Sequence, residues 1–149
     1  MNLKAFSGEQ AVKLMVIDGQ GGGIGAAIIK GLREAVGNDL PIIALGTNSV
    51  ATARMMKAGA NKGGTGENAI IQNCKQVDVI IGPLSILMAN SMMGEVTGGM
   101  ASAVSSSEAT KILIPLTQEK VKIMGVSAEP LPHLVEKAVK IIREMNEDI

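Results

Sequence analysis

The fold class of this chain is decided by one stretch near its start, KLMVIDGQGGGIG at residues 13–25. Leu14 to Ile17 form a continuous apolar run, which predicts a strand buried on both faces, as in a parallel sheet. After the glycines, apolar residues recur at every fourth position: Ile24, Ile28, Leu32 and Val36. That spacing predicts an amphipathic helix, which Gly37 is well suited to end.

Strands and helices continue to alternate along the rest of the chain. The further predicted strands are residues 41–46, 77–81, 111–114 and 121–124. Two further helices are predicted at residues 48–58 and 67–74. Residues 84–107 are predicted to be helical with a break near Gly98, and a last helix is predicted to start at Pro130 or Pro132. The connection between the last two strands is too short for a parallel crossover, so they predict an antiparallel hairpin.

This alternation predicts an α/β fold, a three-layer Rossmann-like sandwich on a mostly parallel sheet with a C-terminal antiparallel hairpin. Residues 1–12 are expected to form an N-terminal extension, and residues 13–149 a single nucleotide-binding domain. In such sheets ligands bind at the carboxyl ends of the strands. The segments expected there are 19–21, 46–48, 82–85 and 115–117.

Composition excludes several classes of function. The 149 residues carry no net charge, which argues against binding of nucleic acid by charge alone. The chain has one Phe and no Trp or Tyr, so it has no base-stacking platform and no tyrosine acid or base. A single cysteine and the lack of a long apolar run predict a cytoplasmic protein that does not enter a membrane. No group of residues has the spacing of metal ligands.

The glycine loop between the first strand and its helix is interpreted as a nucleotide or phosphate site. Glycine permits positive φ angles and lets phosphate oxygens approach backbone N–H groups, and the following helix adds unpaired N–H donors. Gly21-x-Gly23-x-x-Ala26 matches a dinucleotide-binding pattern, whereas a P-loop is excluded because no Gly-Lys-Ser/Thr follows. A purely structural tight turn is the alternative. The predicted ligand residues are Gly19, Gln20, Gly21, Gly22, Gly23, Ile24 and Gly25.

Residues 18–25, Asp-Gly-x-Gly-x-Gly-Ile-Gly, resemble the start of short-chain dehydrogenases/reductases. That resemblance implies dinucleotide binding, but the family's catalytic tyrosine is missing and its Asn-Asn-Ala-Gly segment is replaced by residues 81–84. From residue 13 onward the sequence is similar to an uncharacterised bacterial family of unknown function. The segments that carry this similarity are IDGQGGGIG, ALGTNSVAT, AGANKGGTGENA, DVIIGP and ANSMMGE. It implies a Rossmann-like fold and no assigned activity.

The cofactor is predicted from the end of the second strand, where an NAD site usually has an acid. Here Thr47, Asn48 and Ser49 follow the strand, with Arg54 and Lys57 further on. Hydroxyl, amide and basic groups suit a 2′-phosphate and favour NADP over NAD. The alternative is that these polar residues only cap the second helix. Gly82 and Pro83, after the third predicted strand, complete the expected binding residues.

Other candidate residues each have a simpler structural interpretation. The loop from Lys62 to Asn68 could close over a ligand through Lys62, Glu67 or Asn68, or could be a flexible crossover with Thr65 as helix N-cap. Asp18 is expected to accept hydrogen bonds from the glycine loop rather than to do chemistry. Cys74 is expected to be a buried thiol, and His133 a solvated histidine.

The segment 83–107 is rich in Met and small residues, which predicts a core helix that also forms a homodimer surface. Asn90, Ser91 and Glu95 are its candidate pocket groups. The catalytic residues are unknown at this stage. The sequence leaves three functions open: an NAD(P)-dependent oxidoreductase, a non-catalytic nucleotide sensor, and an enzyme that binds a phosphorylated metabolite at the glycine loop.

Overall fold

The computed structural model describes residues 12–117 and 119–147. Its strands are β1 (Leu14–Asp18), β2 (Ile42–Gly46), β3 (Lys62–Thr65), β4 (Val79–Pro83) and β5 (Thr110–Ile114). Its helices are α1 (Gly23–Val36), α2 (Ser49–Ala58), α3 (Glu67–Cys74), α4 (Gly98–Ser106) and α5 (Leu131–Glu147), with one turn of 3₁₀ helix at Leu84–Leu87. None of the helices in these described ranges combines the length and apolar character needed to cross a bilayer.

The five strands form one parallel sheet in the order β3-β2-β1-β4-β5. At the centre, Val16 of β1 pairs with Ala44 of β2 and with Ile81 of β4. This order and the all-parallel pairing define a Rossmann-like α/β fold. The prediction of the fold class is therefore confirmed at this level.

Helices cover both faces of the sheet and give three layers. Because side chains alternate along a strand, Leu14 and Val16 pack towards α1, α2 and α5, whereas Met15 and Ile17 pack towards α3 and α4. These central strand residues are at most 1% exposed. Burial on both faces explains why β1 is apolar throughout rather than at alternate positions.

The prediction of a C-terminal antiparallel hairpin is wrong. Residues 121–124 have the apolar alternation of a strand but do not form one, and Ile114 is the last residue of β5. The apolar side chains of this segment find no buried face: Val121 is 40% exposed, Ile123 39% and Met124 91%. Without burial, strand-type alternation does not stabilise a strand.

Strand β3 lies in the glycine-rich segment that the sequence predicts as a loop. Its four residues, Lys62–Thr65, pair with Ile43–Gly46 of β2. Two of the four are glycines, so the strand is held by backbone hydrogen bonds and carries no apolar pattern. The next residue, Gly66, is the N-cap of α3, so the prediction of Thr65 as N-cap is wrong.

The segment after β4 contains less helix than predicted. After the 3₁₀ turn, residues 88–97, which we call the edge loop, have no regular structure. Asn90, Met92 and Met93 adopt positive φ angles of 67°, 55° and 56° in this loop. The two glycines at 98–99 were expected to break a helix, but they begin α4 because the Thr97 hydroxyl accepts the Met100 N–H and caps it.

The predicted N-terminal extension, residues 1–12, falls outside the described residues except for Val12. Val12 is 3% exposed and packs in the core with α1, α2 and α5. Its side chain therefore belongs to the core of the domain.

Candidate functional site

The strand order places a crevice at the carboxyl edge of the sheet. From β1 the chain proceeds to β2 and β3 on one side, and then crosses to β4 and β5 on the other. The loops after β1 and β4 therefore leave the sheet in opposite directions, which opens a ligand-binding crevice between them. The glycine loop follows β1 at this point, and the 3₁₀ turn and edge loop follow β4.

Asp18, the last residue of β1, organises the glycine loop. Its side chain is 4% exposed, and its two oxygens accept the backbone N–H groups of Gly19 and Gly25, each at 2.7 Å. Burial raises the pKa of the Asp18 carboxyl, and the hydrogen bonds from Gly25, Gly19 and Ile24 oppose that rise. The prediction that Asp18 serves the loop is confirmed.

The loop itself is a tight turn that opens into α1. Gly22 donates its N–H to the Gly19 carbonyl at 2.9 Å, and Gln20 and Gly22 have φ angles of 49° and 73°. Among the described residues, the N–H groups of Gly21 and Gly23 have no acceptor. Both belong to the N-terminal end of α1, where the helix dipole favours an anion.

Arg54 of α2 adds positive charge at the same place. Its Nη1 donates to the Gly21 carbonyl at 3.3 Å and lies 3.5 Å from where a Cβ on Gly23 would be. The two unpaired N–H groups and this guanidinium together suit an anion, and we call this place the anion-binding position. Arg54 was expected to help bind a 2′-phosphate near the end of β2, whereas in the structure it contacts the glycine loop.

Gly19 and Gly25 are required for packing. A Cβ on Gly19 would overlap the Met92 sulfur, and a Cβ on Gly25 would overlap the Met55 sulfur, each at 2.5 Å. By contrast, a Cβ on Gly21 would be 3.8 Å from its nearest neighbour, an Arg54 nitrogen. The loop thus contains glycines that the fold needs and glycines that leave room for a ligand.

Glu95, in the edge loop, reaches the ends of both β1 and β2. Its Oε1 accepts the Gln20 N–H at 2.8 Å, the Thr47 hydroxyl at 2.7 Å and the Asn48 amide at 2.8 Å. Burial opposes ionisation of this carboxyl, but the three hydrogen bonds together outweigh it and lower the pKa of Glu95. The carboxylate is therefore ionised at neutral pH.

A cavity of about 530 Å³ lies in the crevice between the glycine loop and β4. This size is within the range of small-molecule sites. Its polar groups include the Ser85 and Thr117 hydroxyls, which are 3.2 Å apart, and Glu119, whose Oε1 accepts the Met92 N–H at 2.9 Å. Larger grooves of about 830 and 900 Å³ lie between α1 and α5 and between α3 and α4, away from the carboxyl ends of the strands.

The structure brings most of the predicted binding residues to this edge. Asn48 is the N-cap of α2 through the Ala51 N–H at 2.9 Å, as the simpler interpretation expected, and it also contacts Glu95. Ser49 is exposed at the start of α2. A Cβ on Gly82 would collide with the Ile17 carbonyl, so Gly82 packs against β1, while Pro83 lines the cavity.

Several other candidates lie apart from the loop. Lys62 begins β3 and is therefore at the amino edge of the sheet. Glu67 in α3 bonds to the Thr97 hydroxyl. Cys74 is 3% exposed, and burial raises the pKa of its thiol to about 11, so it is a buried thiol as predicted. His133 is exposed on α5, also as predicted.

Two acidic side chains at this edge, Glu95 and Glu119, were not singled out by their sequence pattern. Glu95 was predicted only as one of several pocket candidates, and Glu119 was not identified. Both belong to irregular segments, 88–97 and 119–130, whose paths depend on tertiary contacts. One signal was present: Glu95 is the single charged residue between Pro83 and Ser107.

Together the parallel sheet, its glycine loop and the cavity at its carboxyl edge define a Rossmann-like α/β protein. The chain belongs to the family described as a domain of unknown function, DUF3842, which matches residues 13–147. This agrees with the similarity to an uncharacterised family found in the sequence. No curated protein matches the chain.

Proposed function

We propose that this protein binds an NAD(P)-type dinucleotide across the carboxyl edge of its sheet. The observation that carries the proposal is the anion-binding position formed by the N–H groups of Gly21 and Gly23 and by Arg54. Backbone donors at a helix N-terminus together with a guanidinium suit a pyrophosphate. The position lies at the point where the strand order reverses, which is where such ligands bind in open parallel sheets.

The cavity beside the loop would take the remainder of the ligand on the β4 side. Its apolar walls include Ile24 and Pro83. Leu45 of β2 and Ile81 of β4 are fully buried in the sheet and do not line this cavity. A ring bound here would lie between aliphatic side chains and the backbone of the loop.

Hydride transfer is the second candidate function, because the Ser85 and Thr117 hydroxyls could orient a carbonyl group in the cavity. Against it, both oxygens of Asp18 are occupied by backbone donors, which leaves this carboxylate poorly placed for proton transfer. Binding without catalysis therefore remains the simpler form of the proposal. Turnover of NADH or NADPH with small carbonyl compounds would favour the enzyme over the sensor.

The binding proposal is tested by thermal unfolding with NAD⁺, NADH, NADP⁺ and NADPH. A ligand at about 100 times its Kd should stabilise the protein by about 2.7 kcal/mol. Gly23→Val places a side chain where the phosphate would lie and should abolish this stabilisation. Gly98→Val is the matched control, because Gly98 is also the first residue of a helix and has open space around it.

If none of the four dinucleotides stabilises the wild-type protein, the proposal is wrong. If Gly23→Val is stabilised as much as Gly98→Val, the ligand binds elsewhere. Arg54→Ala should weaken binding by about tenfold, the effect expected for loss of one exposed charge contact to phosphate.

A further inference from the structure

An acidic side chain from a distant part of the sequence, Glu95 of the edge loop, lies at the end of β2. Thr47, Asn48 and Ser49 follow this strand, and their hydroxyl and amide groups suggested a site for a 2′-phosphate. In the structure the Glu95 carboxylate occupies the hydrogen-bonding groups of Thr47 and Asn48. A negative charge therefore lies where the phosphate was expected.

The edge loop holds Glu95 in a defined position. The Asn90 N–H donates to the Val96 carbonyl at 2.6 Å, and the Ser91 hydroxyl donates to the Ser85 carbonyl at 2.6 Å, so the loop is closed on itself and fixed to the 3₁₀ turn. The Met92 N–H donates to the Glu119 carboxylate, and the Met92 sulfur packs against Gly19. Two consecutive methionines at positive φ are costly, by about 1–3 kcal/mol each, and persist only where surrounding contacts impose them.

The hydrogen bonds of Glu95 leave one oxygen free for a ligand. Oε1 accepts all three protein donors, whereas Oε2 has no partner among the described residues. An ionised oxygen fixed in this way accepts hydrogen bonds from ligand hydroxyls and repels a phosphate. The carboxylate lies beside the anion-binding position, because it accepts the N–H of Gln20, the residue before Gly21.

We infer that Glu95 is a specificity-determining residue that binds the vicinal hydroxyls of an unphosphorylated ribose and excludes a 2′-phosphate. The inference rests on the proposed dinucleotide binding and names its ligand class: NAD⁺ or NADH, not NADP⁺ or NADPH. The acid comes from the loop after β4 instead of from β2 itself, and Thr47 and Asn48 position it. The polar residues after β2 thus hold the side chain that contacts the ligand.

The test compares the Kd of NAD⁺ and NADP⁺ by calorimetry, since these probes differ only in the 2′-phosphate. The variant is Glu95→Gln, which keeps an oxygen acceptor for Gln20 and Thr47 but removes the charge. Glu34→Gln is the matched control, because Glu34 is exposed near the C-terminal end of α1, far from the loop. Thermal unfolding without ligand verifies that both variants are folded.

We expect the wild-type protein and Glu34→Gln to bind NAD⁺ at least about tenfold more tightly than NADP⁺. Glu95→Gln should lose most of this preference, with weaker NAD⁺ binding. If the wild-type protein binds both equally or prefers NADP⁺, or if Glu95→Gln keeps the wild-type preference for NAD⁺, the inference is wrong while dinucleotide binding stands. If the wild-type protein binds neither NAD⁺ nor NADP⁺, the proposed function is wrong, and this inference is wrong with it.

Discussion

The Oδ2 atom of Asp18 accepts the backbone N–H of Gly25 at 2.7 Å and so joins the last residue of β1 to the first turn of α1. The same carboxylate accepts the N–H of Gly19 through Oδ1. One buried side chain therefore fixes both ends of the glycine loop, and it leaves the N–H groups of Gly21 and Gly23 without an acceptor among the described residues.

Asp18→Asn should destabilise the protein by about 2–4 kcal/mol, because the amide nitrogen would face one of the two backbone N–H groups and leave it unsatisfied. Urea unfolding followed by circular dichroism measures the change in the free energy of unfolding. Asp39→Asn, at an exposed position, is the control and should change it by less than about 0.5 kcal/mol. Equal stability of the two variants would contradict the role of Asp18.

Gly19→Ala should destabilise the protein by about 1–3 kcal/mol, since the new Cβ would overlap both the Thr47 hydroxyl and the Met92 sulfur. Gly23→Ala should leave stability unchanged or raise it by up to about 1 kcal/mol, because alanine favours a helix over glycine. Chemical denaturation of the two variants side by side measures this difference. Tolerance of Gly19→Ala would mean that the Thr47 and Met92 side chains can move aside, and would contradict tight packing at Gly19.

Arg33→Lys should destabilise the protein by about 1–3 kcal/mol although it keeps the charge. The guanidinium donates to the carbonyls of Leu40 and Gly59 and to the Asn61 side chain, at 2.7, 3.0 and 2.9 Å. A lysine cannot reach three acceptors in this planar arrangement. Lys30→Arg, an exchange at an exposed position of α1, is the control for urea unfolding and should have little effect.

Glu95 should make the stability of the protein depend on pH in the acid range. Its pKa is lower in the folded state than the ordinary value of 4.5, so its contribution is present above 4.5 and is lost as the pH falls through the folded-state pKa. The free energy of unfolding of the wild type should therefore exceed that of Glu95→Gln at about pH 7. The gap should narrow below about pH 4.5. A gap that stays constant with pH would show that the carboxylate is not stabilised by its three donors.

Cys74 should react slowly with a thiol reagent at about pH 8, because burial raises the pKa of its thiol to about 11 and blocks access. Absorbance after addition of an aromatic disulfide measures the reaction, which should become fast in urea. Cys74→Ala confirms the assignment, since the chain has one cysteine. Fast labelling of the folded protein would place the thiol at the surface.

Elements whose own side chains carry an apolar pattern were predictable from the sequence. Strands β1, β2, β4 and β5 and helices α1, α2, α3 and α5 were all expected close to their observed bounds. Strand β3 was not, because Lys62–Thr65 is held by backbone pairing to β2 and buries almost no side chain. The expected fifth strand failed for the opposite reason, since its apolar side chains gain no burial.

The candidate site divides in the same way. The glycine loop was predictable because the glycines are contiguous and follow a buried strand. The contact of Glu95 with Gln20 was not, because 75 positions separate these residues along the chain. It depends on the path of an irregular loop whose backbone angles are imposed by packing, and local propensity carries no information about such a path.

Strand β3, one of the two outer strands of the sheet, offers few features that would favour pairing with a strand from another molecule. Strand β3 has four residues, begins with Lys62 and continues with two glycines. Short length, a lysine and a weak intrinsic preference for extended structure are features by which natural proteins protect sheet edges from uncontrolled association. The two glycines give this strand no apolar pattern, so it is hard to predict from the sequence. The same glycines weaken its pairing with a strand of another molecule and so limit edge-to-edge aggregation.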